Sequence, residues 1–425
     1  MNGDPADAVG TTGFRVLSPL LGCVFVVMIG YGIALTVLPL YTERIHGLAG
    51  ASAGVIAVHL GVLTSVYALA QLLAGPAVGR LGDRVGRRPL ILAGLAGAGV
   101  TQAAFAFTSS LWWLYGLRVV GGLAASLLIV GASAAIADHT TEETRVRGMA
   151  WFGTAVSLGV VAGPALGGVL GRVGAGRSRG VRFDGYTLPF LVAGALAVAA
   201  FLAAMVLVPE SLDRTVPRSR SGAGLWRSMM SGRLLSLVAG AQFGLALFEG
   251  TFVLYARDRF GFGPTQTATA FVLCGAVMGV LQAAVVGPLA RLVGPSRQAA
   301  VGFLFMGAGT VGLIVVRSFT FVLAAVGVLA LGTALVIPNL SSLVATNSRG
   351  RFGTALGLKS SATSLGQFLG PLVGGTMFAW RQTSPYALGA LTLLALGALT
   401  ARFTKPSAPA AGAVRAPHGR VAPAP

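Results

Sequence analysis

The stretch GVVAGPALGG at residues 159–168 contains an uncommon spacing of glycine and proline that recurs later in the chain. Residues 366–375 read GQFLGPLVGG and repeat the spacing 207 residues further on, which is about half of the 425-residue chain. A match at five fixed positions is an improbable coincidence even among 62 glycines. The repeat predicts two related halves, an organisation common in proteins that cross a membrane many times.

The composition excludes a water-soluble globular protein. Hydrophobic residues make up 55% of the chain and charged residues only 10%, with a mean hydropathy of +0.80, whereas soluble domains carry about 25% charged residues. Hydrocarbon offers the backbone no hydrogen-bond partner, so apolar stretches of about 20 residues must be helices. We predict an all-α integral membrane protein with twelve spans, at about 17–40, 50–76, 89–107, 111–136, 147–170, 188–208, 234–256, 266–289, 298–316, 319–339, 351–378 and 385–402.

The hydrophilic segments divide the chain into two bundles of six helices. The longest polar connection, 209–233, lies between the sixth and seventh spans and is predicted to be a cytoplasmic linker. The bundles are then 15–208 and 234–402. The tails 1–14 and 403–425 are predicted to be disordered because they lack enough apolar residues to fold.

The positive charge sits in short loops. A net charge of +19 would suggest nucleic-acid binding in a soluble chain, but here we predict the lipid bilayer as partner and no nucleic acid. With both termini in the cytoplasm, inner loops and tails hold 20 of the 31 Lys and Arg and outer loops hold nine. This is the positive-inside bias, weakened by the arginines of the predicted outer loop after the fifth span.

The sequence offers no pattern for catalysis, a cofactor or a metal. Cys23 and Cys274 both fall within spans, there are four histidines, and no loop is long enough to fold separately. A nucleotide-binding Gly-x-x-x-x-Gly-Lys-Ser/Thr loop does not occur. We therefore predict neither an enzyme nor a receptor, with no cofactor and no metal.

The loop between the second and third spans reads GRLGDRVGRRP at residues 79–89. It resembles the signature loop of the major facilitator superfamily, Gly-x-x-x-Asp-Arg-x-Gly-Arg-Arg. All six positions match: Gly79, Asp83, Arg84, Gly86, Arg87 and Arg88. The resemblance extends to the twelve spans, the central linker and the repeat, and it implies the major facilitator fold.

In the superfamily this loop is a conformational latch on the cytoplasmic side. The resemblance implies that Arg87 pairs with Asp138, at the inner end of the fourth span, and that the cluster with Asp83 steadies the outward-open state. The alternative is that these charges only set the topology. The second half has a degenerate copy at 287–294, in which Arg291 replaces the acidic residue.

The repeated string resembles the antiporter motif of the drug:proton exchangers in this superfamily. Its matching positions in the fifth span are Gly159, Gly163, Pro164, Gly167 and Gly168. Small residues four apart let two helices approach at the backbone, and proline bends a helix. The resemblance implies an exporter, with plain helix packing as the alternative. For the copy in the eleventh span we expect packing symmetry.

Arg118 is a full charge inside the fourth span, where an unpaired charge costs several kcal/mol. The superfamily pattern at this place is Arg-x-x-Gln-Gly, whose arginine is linked to proton transfer. Gly121 stands where the glutamine would be. We expect the arginine's role in proton coupling to apply to Arg118 without a contribution from glutamine.

Glu249 is the acidic residue deepest in any predicted span. The charged form of a carboxyl group is costly at that depth, which suits a group that binds and releases a proton. Many multidrug antiporters carry their acidic residue in the first span, but this first span has none. We predict that Glu249 is the proton-coupling site. The alternatives are a structural hydrogen bond to a neighbouring helix and a carboxylate near the outer mouth.

The substrate cavity is harder to assign because helix rotations are not visible in an apolar sequence. Polar or aromatic residues within spans are its candidate lining: Tyr31, Gln71, Gln242, Phe248, Asn339 and Gln367. An apolar cavity with few charges suits hydrophobic or cationic compounds.

These observations predict a secondary active transporter. We expect it to export drugs or small hydrophobic metabolites in exchange for protons, by alternating access, as a monomer. A sugar or metabolite exporter and an uncoupled facilitator of the same fold are the alternatives. The abundance of arginine over lysine is typical of a GC-rich bacterial genome, so we expect the bacterial inner membrane, with both termini cytoplasmic.

Overall fold

The secondary-structure elements that the structure describes are all helices. A computed structural model describes residues 5–41, 45, 48, 50–108, 110–140, 142–173, 187–211, 232–347 and 352–402. The helices are α1 Pro5–Tyr41, α2 Ala53–Val85, α3 Arg87–Phe107, α4 Leu111–Asp138, α5 Glu142–Val173, α6 Thr187–Leu207, α7 Gly232–Phe260, α8 Pro264–Leu281 continued by a π-helical turn Gln282–Val286 and by Gly287–Val293, α9 Pro295–Val315, α10 Phe319–Thr346, α11 Phe352–Trp380 and α12 Ser384–Arg402. Counting only described residues, eleven helices are long and apolar enough to cross a membrane.

Helix ends follow local signals in the sequence. Ser52 caps α2, because its side chain accepts a hydrogen bond from the Val55 N–H at 3.4 Å. Pro264 opens α8 and lacks the N–H that would be unsatisfied there. In the structure α1 begins at Pro5, so residues 5–14, which we assigned to a disordered tail, are helical. A proline at the first position and Asp7 in the first turn favour this earlier start.

The helices pack as two equivalent sets of six. In the first half α1 packs on α5 and α3 packs on α4 and α6; in the second half α7 packs on α11 and α9 packs on α10 and α12. Each contact therefore has a counterpart six helices later. The prediction of an all-α membrane protein with two related six-helix bundles is confirmed.

The halves meet through α2 with α11 and through α5 with α8. Ser65 of α2 donates a hydrogen bond to the Phe368 carbonyl at 2.6 Å, and a Cβ added at Gly54 would lie 3.0 Å from the Ala379 Cα. Towards the other end of α2, a Cβ at Gly75 or Gly79 would meet no atom within 4 Å. The described close contacts of α2 with α11 therefore lie toward the Gly54 end, which we call the closed end.

Three tryptophans mark the closed end. Trp112 and Trp113 at the start of α4 are 81% and 69% exposed, and Trp380 at the end of α11 is 83% exposed. Exposed indole rings at helix ends are typical of the membrane–water interface.

Candidate functional site

A buried arginine, Arg87, joins the end of α2, the start of α3 and the end of α4. Arg87 follows Gly86, whose φ of 107° is a conformation that glycine adopts easily. Its Nη2 donates to Asp83 Oδ1 at 2.8 Å, and its Nε donates to Asp138 Oδ2 at 3.1 Å. Two carboxylates compensate one buried cation, so the three side chains predicted for the latch lie together.

Glu210 is a further member of this cluster, which we call the Arg87 cluster. Its carboxylate accepts hydrogen bonds from the backbone N–H groups of Arg87 at 2.8 Å and Arg88 at 3.3 Å. It therefore caps the N-terminus of α3, where a negative charge is favoured. Ser211 donates to Asp138 at 3.2 Å. We missed Glu210 because it follows α6, 123 residues after Arg87, and no local pattern connects the two.

The remaining loop positions are on the surface. Gly79 faces open space, Arg84 is exposed and Arg88 is half-buried. The contacts of the Arg87 cluster given above all join residues of the first half. Its predicted role in the outward-open state stays a prediction. In the second half Gly294 makes a similar turn, with a φ of 84°.

The first glycines of each string pack within their own half. A Cβ at Gly163 would lie 2.5 Å from the Gly32 Cα of α1, and one at Gly159 would lie 2.6 Å from the Phe25 carbonyl oxygen. In the copy, a Cβ at Gly370 would lie 2.7 Å from the Ala246 Cβ of α7. These positions permit close approach of α5 to α1 and of α11 to α7.

The last glycine of each string faces the opposite half. A Cβ at Gly168 would lie 2.5 Å from the Ala268 Cβ of α8. A Cβ at Gly375 would overlap the Ala57 carbonyl oxygen of α2 and lie 3.2 Å from the Gly61 Cα. The copy in α11 therefore does more than preserve packing symmetry, because it forms a contact surface between the halves.

Arg118 lines a cavity inside the first half. Its side chain is buried, with the guanidinium 5.6 Å from the Tyr67 ring centroid and 5.4 Å from that of Phe105. The cavity measures about 30 Å³, which is room for roughly one or two water molecules. Its walls come from α1, α2, α3, α4 and α6, and include Tyr31 and Gly121. The glycine at 121 leaves space that a glutamine side chain would fill.

Glu249 of α7 approaches the first half through Tyr31. It lies close enough to Tyr31 and to Cys274 of α8 to interact electrostatically with both. Tyr31 also interacts with Arg118 and stacks on Tyr67 at a centroid distance of 5.5 Å. Among the described residues, Glu249 makes no hydrogen bond or ion pair. This carboxyl group is therefore unlike that of Asp83, Asp138 or Glu210.

Two candidates for the cavity lining belong to the packed interior. Phe248 is 2% exposed and packs on Phe252 and Phe271 at 4.8 and 5.9 Å between centroids. Asn339 is also buried and donates to Gln298 Oε1 at 2.8 Å and to the Leu335 carbonyl at 2.7 Å. In this structure the rotation of their helices therefore places both residues in side-chain packing, and their contact with a substrate stays a prediction.

The other candidates remain accessible. Tyr31 lines the cavity beside Arg118, Gln71 lies close to Tyr67, and Gln242 and Gln367 are half-buried. Their contact with a substrate stays a prediction.

The family model of the Major Facilitator Superfamily matches residues 20–344 and, in a second overlapping match, residues 280–424. The chain belongs to the major facilitator superfamily. The loop between α2 and α3 that resembles the superfamily's signature thus supplies Asp83 and Arg87 to the Arg87 cluster. The two glycine strings lie in equivalent helices, α5 and α11, of the two halves.

Relatives within the superfamily cover most of the chain. Multidrug resistance protein 1 of Bacillus subtilis is 27% identical over 92% of this chain and 97% of its own length. The class G tetracycline resistance protein of Vibrio anguillarum is 32% identical over 81% and 85%. The quinolone resistance protein NorA of Staphylococcus aureus is 25% identical over 84% and 88%.

Solved structures of superfamily members share the fold. The human organic anion transporter MFSD10 (TETRAN) superposes with a TM-score of 0.70 at 22% identity, covering 91% of this chain and 99% of its own. A bacterial homologue of the human lysosomal transporter Spinster, crystallised in an inward-facing and unoccupied conformation, gives 0.67 at 16% identity, covering 94% and 96%.

Proposed function

We propose that this multi-pass membrane protein exports drugs or small hydrophobic compounds in exchange for protons, by alternating access. The relatives named for multidrug, tetracycline and quinolone resistance support export of drugs. Residence in a bacterial inner membrane, with both termini cytoplasmic and a monomer as the working unit, belongs to the same proposal.

The observation that carries proton coupling is the state of Glu249. It is a carboxyl group in the middle of a membrane helix, without a hydrogen bond or ion pair among the described residues. A structural carboxylate at this depth would need partners to offset its desolvation. A group that alternates between the protonated and charged forms needs freedom from fixed partners. We therefore favour a proton site over the structural alternative.

The arrangement suggests an order of events. In an outward-facing state, Glu249 takes up a proton from the external medium. In the inward-facing state it releases the proton to the cytoplasm, and its charge then attracts a hydrophobic cation into the space between the halves. Arg118 responds to the charge through Tyr31, which interacts with both residues. Closure of the inner end and opening of the outer end then release the substrate.

Everted membrane vesicles with an acid interior test this proposal. We expect a panel of dyes and antibiotics to trigger proton release from vesicles that contain the wild-type protein. Glu249→Gln should abolish the release, because the amide binds no proton in this pH range. Asp258→Asn is the matched control, since Asp258 lies on the same helix and pairs with Arg257 at its outer end.

Each outcome has a distinct meaning. Drug accumulation by both the wild-type protein and Glu249→Gln, without proton release from either, would replace antiport by facilitated diffusion. A response to sugars or metabolites instead of drugs would support the alternative exporter. Loss of proton release in Asp258→Asn as well would remove Glu249 as the specific coupling site.

A further inference from the structure

The Nε of Arg118 is buried and finds no hydrogen-bond acceptor among the residues that the structure describes. The residue is 4% exposed. Its neighbours in the structure are the aromatic faces of Tyr67 and Phe105. Aromatic faces attract a cation by about 1–2 kcal/mol, which does not replace the acceptors that a desolvated guanidinium requires.

A second arginine, Arg259, has similar aromatic neighbours and also a hydrogen-bond acceptor for its guanidinium. Arg259 lies over the rings of Tyr255 and Phe260, at 5.4 and 5.8 Å from their centroids. Its Nη2 also donates to the Ile314 carbonyl oxygen at 2.6 Å. The two arginines thus have matching aromatic surroundings, and Arg118 differs in having a cavity where Arg259 has an oxygen.

The carboxylates of the Arg87 cluster are too far from Arg118 to pair with it. Asp138 is twenty residues along α4 from Arg118, which corresponds to about 30 Å of helix, and Asp83 and Glu210 lie beside Asp138 in that cluster. Glu249 belongs to the other half, and among the described residues no ion pair joins it to Arg118. The described part of the chain therefore supplies no acceptor for Arg118, which leaves the cavity beside it as the place for one.

Water fits the cavity but does not compensate the charge. The space of about 30 Å³ would hold roughly one or two water molecules or one small anionic group of similar size. Gln102 of α3 also lines it, whereas the Thr101 hydroxyl donates to the Gly97 carbonyl oxygen at 2.8 Å. A positive charge beside an aromatic wall forms a site that favours a single negative charge.

We propose that the cavity beside Arg118 binds one monoanionic group, either a small inorganic anion such as chloride or the carboxylate of a transported compound. The guanidinium donates hydrogen bonds to the anion, and Tyr67 and Phe105 exclude further solvent. The carboxylate source rests on the proposed export function, whereas the inorganic source does not.

Thermal unfolding of the purified full-length protein tests the site without transport. Sulfate, whose double charge does not match the proposed site, is replaced stepwise by chloride, bromide or formate at constant ionic strength. We expect a saturable rise in Tm of about 2 °C, as ligand binding to the folded state requires. A response to chloride or bromide identifies an inorganic anion, whereas a response to formate alone identifies a carboxylate.

Three variants make the result specific. Arg118→Gln should abolish the rise, and Gly121→Leu should do so by filling the cavity while keeping the charge. Arg259→Gln should retain it, which excludes a general salt effect. Glu249→Gln should also retain it, so failure of proton coupling leaves this result intact. An equal rise in Arg118→Gln, or no rise with any of the anions in the wild-type protein, would overturn the proposal.

Discussion

The glycine strings of α5 and α11 occupy equivalent places in the two halves but meet the opposite half differently. Gly168 of α5 faces a single methyl group, the Cβ of Ala268. Gly375 of α11 faces backbone, at the Ala57 carbonyl oxygen and the Gly61 Cα. The Ser65 hydrogen bond to the Phe368 carbonyl lies along the same α2–α11 contact.

This difference shows that two copies of one motif can make different contacts: one copy packs on main-chain atoms and the other on a side chain. The contact between α2 and α11 is fixed by main-chain atoms that cannot change rotamer. The contact between α5 and α8 is made by side chains and tolerates adjustment. A similar asymmetry separates the Arg87 cluster from its degenerate copy at 287–294, where the acidic position has become Arg291.

The largest expected effect is that of Gly375→Ala. The added methyl group overlaps main-chain atoms of α2, and overpacking of this kind costs about 1–3 kcal/mol. We expect the outer end to separate and transport to fall by about tenfold. Cysteines at positions 54 and 379, in a protein without Cys23 and Cys274, should cross-link in the parent and lose the cross-link in Gly375→Ala.

Gly168→Ala is the matched control for that variant. The clash with the Ala268 Cβ is a side-chain clash, so the additional change Ala268→Gly should restore transport. If Gly168→Ala reduces transport and cross-linking as strongly as Gly375→Ala, and Ala268→Gly brings no recovery, the two strings are equivalent and our comparison is wrong.

A smaller effect separates the two turn glycines. Alanine at Gly86 or Gly294 must adopt a positive φ, which costs about 1–3 kcal/mol. At Gly86 the new Cβ also overlaps the Glu210 carboxylate, whereas at Gly294 it meets no atom within 4 Å. Thermal unfolding of the purified variants should show the larger drop in Tm for Gly86→Ala. Equal drops would mean that Glu210 moves aside at no cost.

The smallest effect is expected for Glu210→Gln, which keeps the shape of the cap and removes its charge. A charge at a helix N-terminus contributes about 0.3–1 kcal/mol and is screened by salt. We expect initial transport rates to fall about twofold, with the difference shrinking at high ionic strength. A loss as large as that of Gly375→Ala would mean that Glu210 takes part in the conformational change itself.

Much of this architecture was readable from the sequence, because its signals are short-range. Hydropathy defines the spans, and glycine spacing reveals the repeat. The approach of Arg87 to Asp83 follows from their separation of four residues on successive helix ends. The charges of Arg118 and Glu249 stand out because charges inside a membrane are rare.

The sequence could not show which face of an apolar helix points toward the pathway, nor which distant residues the fold brings together. Phe248 and Asn339 lie in helices that are apolar on every face, so no pattern distinguishes the side toward the pathway from the side toward a neighbouring helix. Glu210 caps a helix that begins 123 residues earlier, and only the fold brings the two together. The cavity beside Arg118 is lined by residues of five helices, so no single segment of sequence predicts it.

The exposed tryptophans have a mechanical consequence. Trp112 and Trp113 belong to the first half and Trp380 to the second, all at the closed end. Because indole rings favour the headgroup region, we expect these tryptophans to anchor both halves in the same leaflet. Under the proposed alternating access, we expect the halves to pivot near that leaflet and lipid in the opposite leaflet to rearrange around the parting helices. Bilayer thickness and packing in that opposite leaflet should then affect the turnover rate.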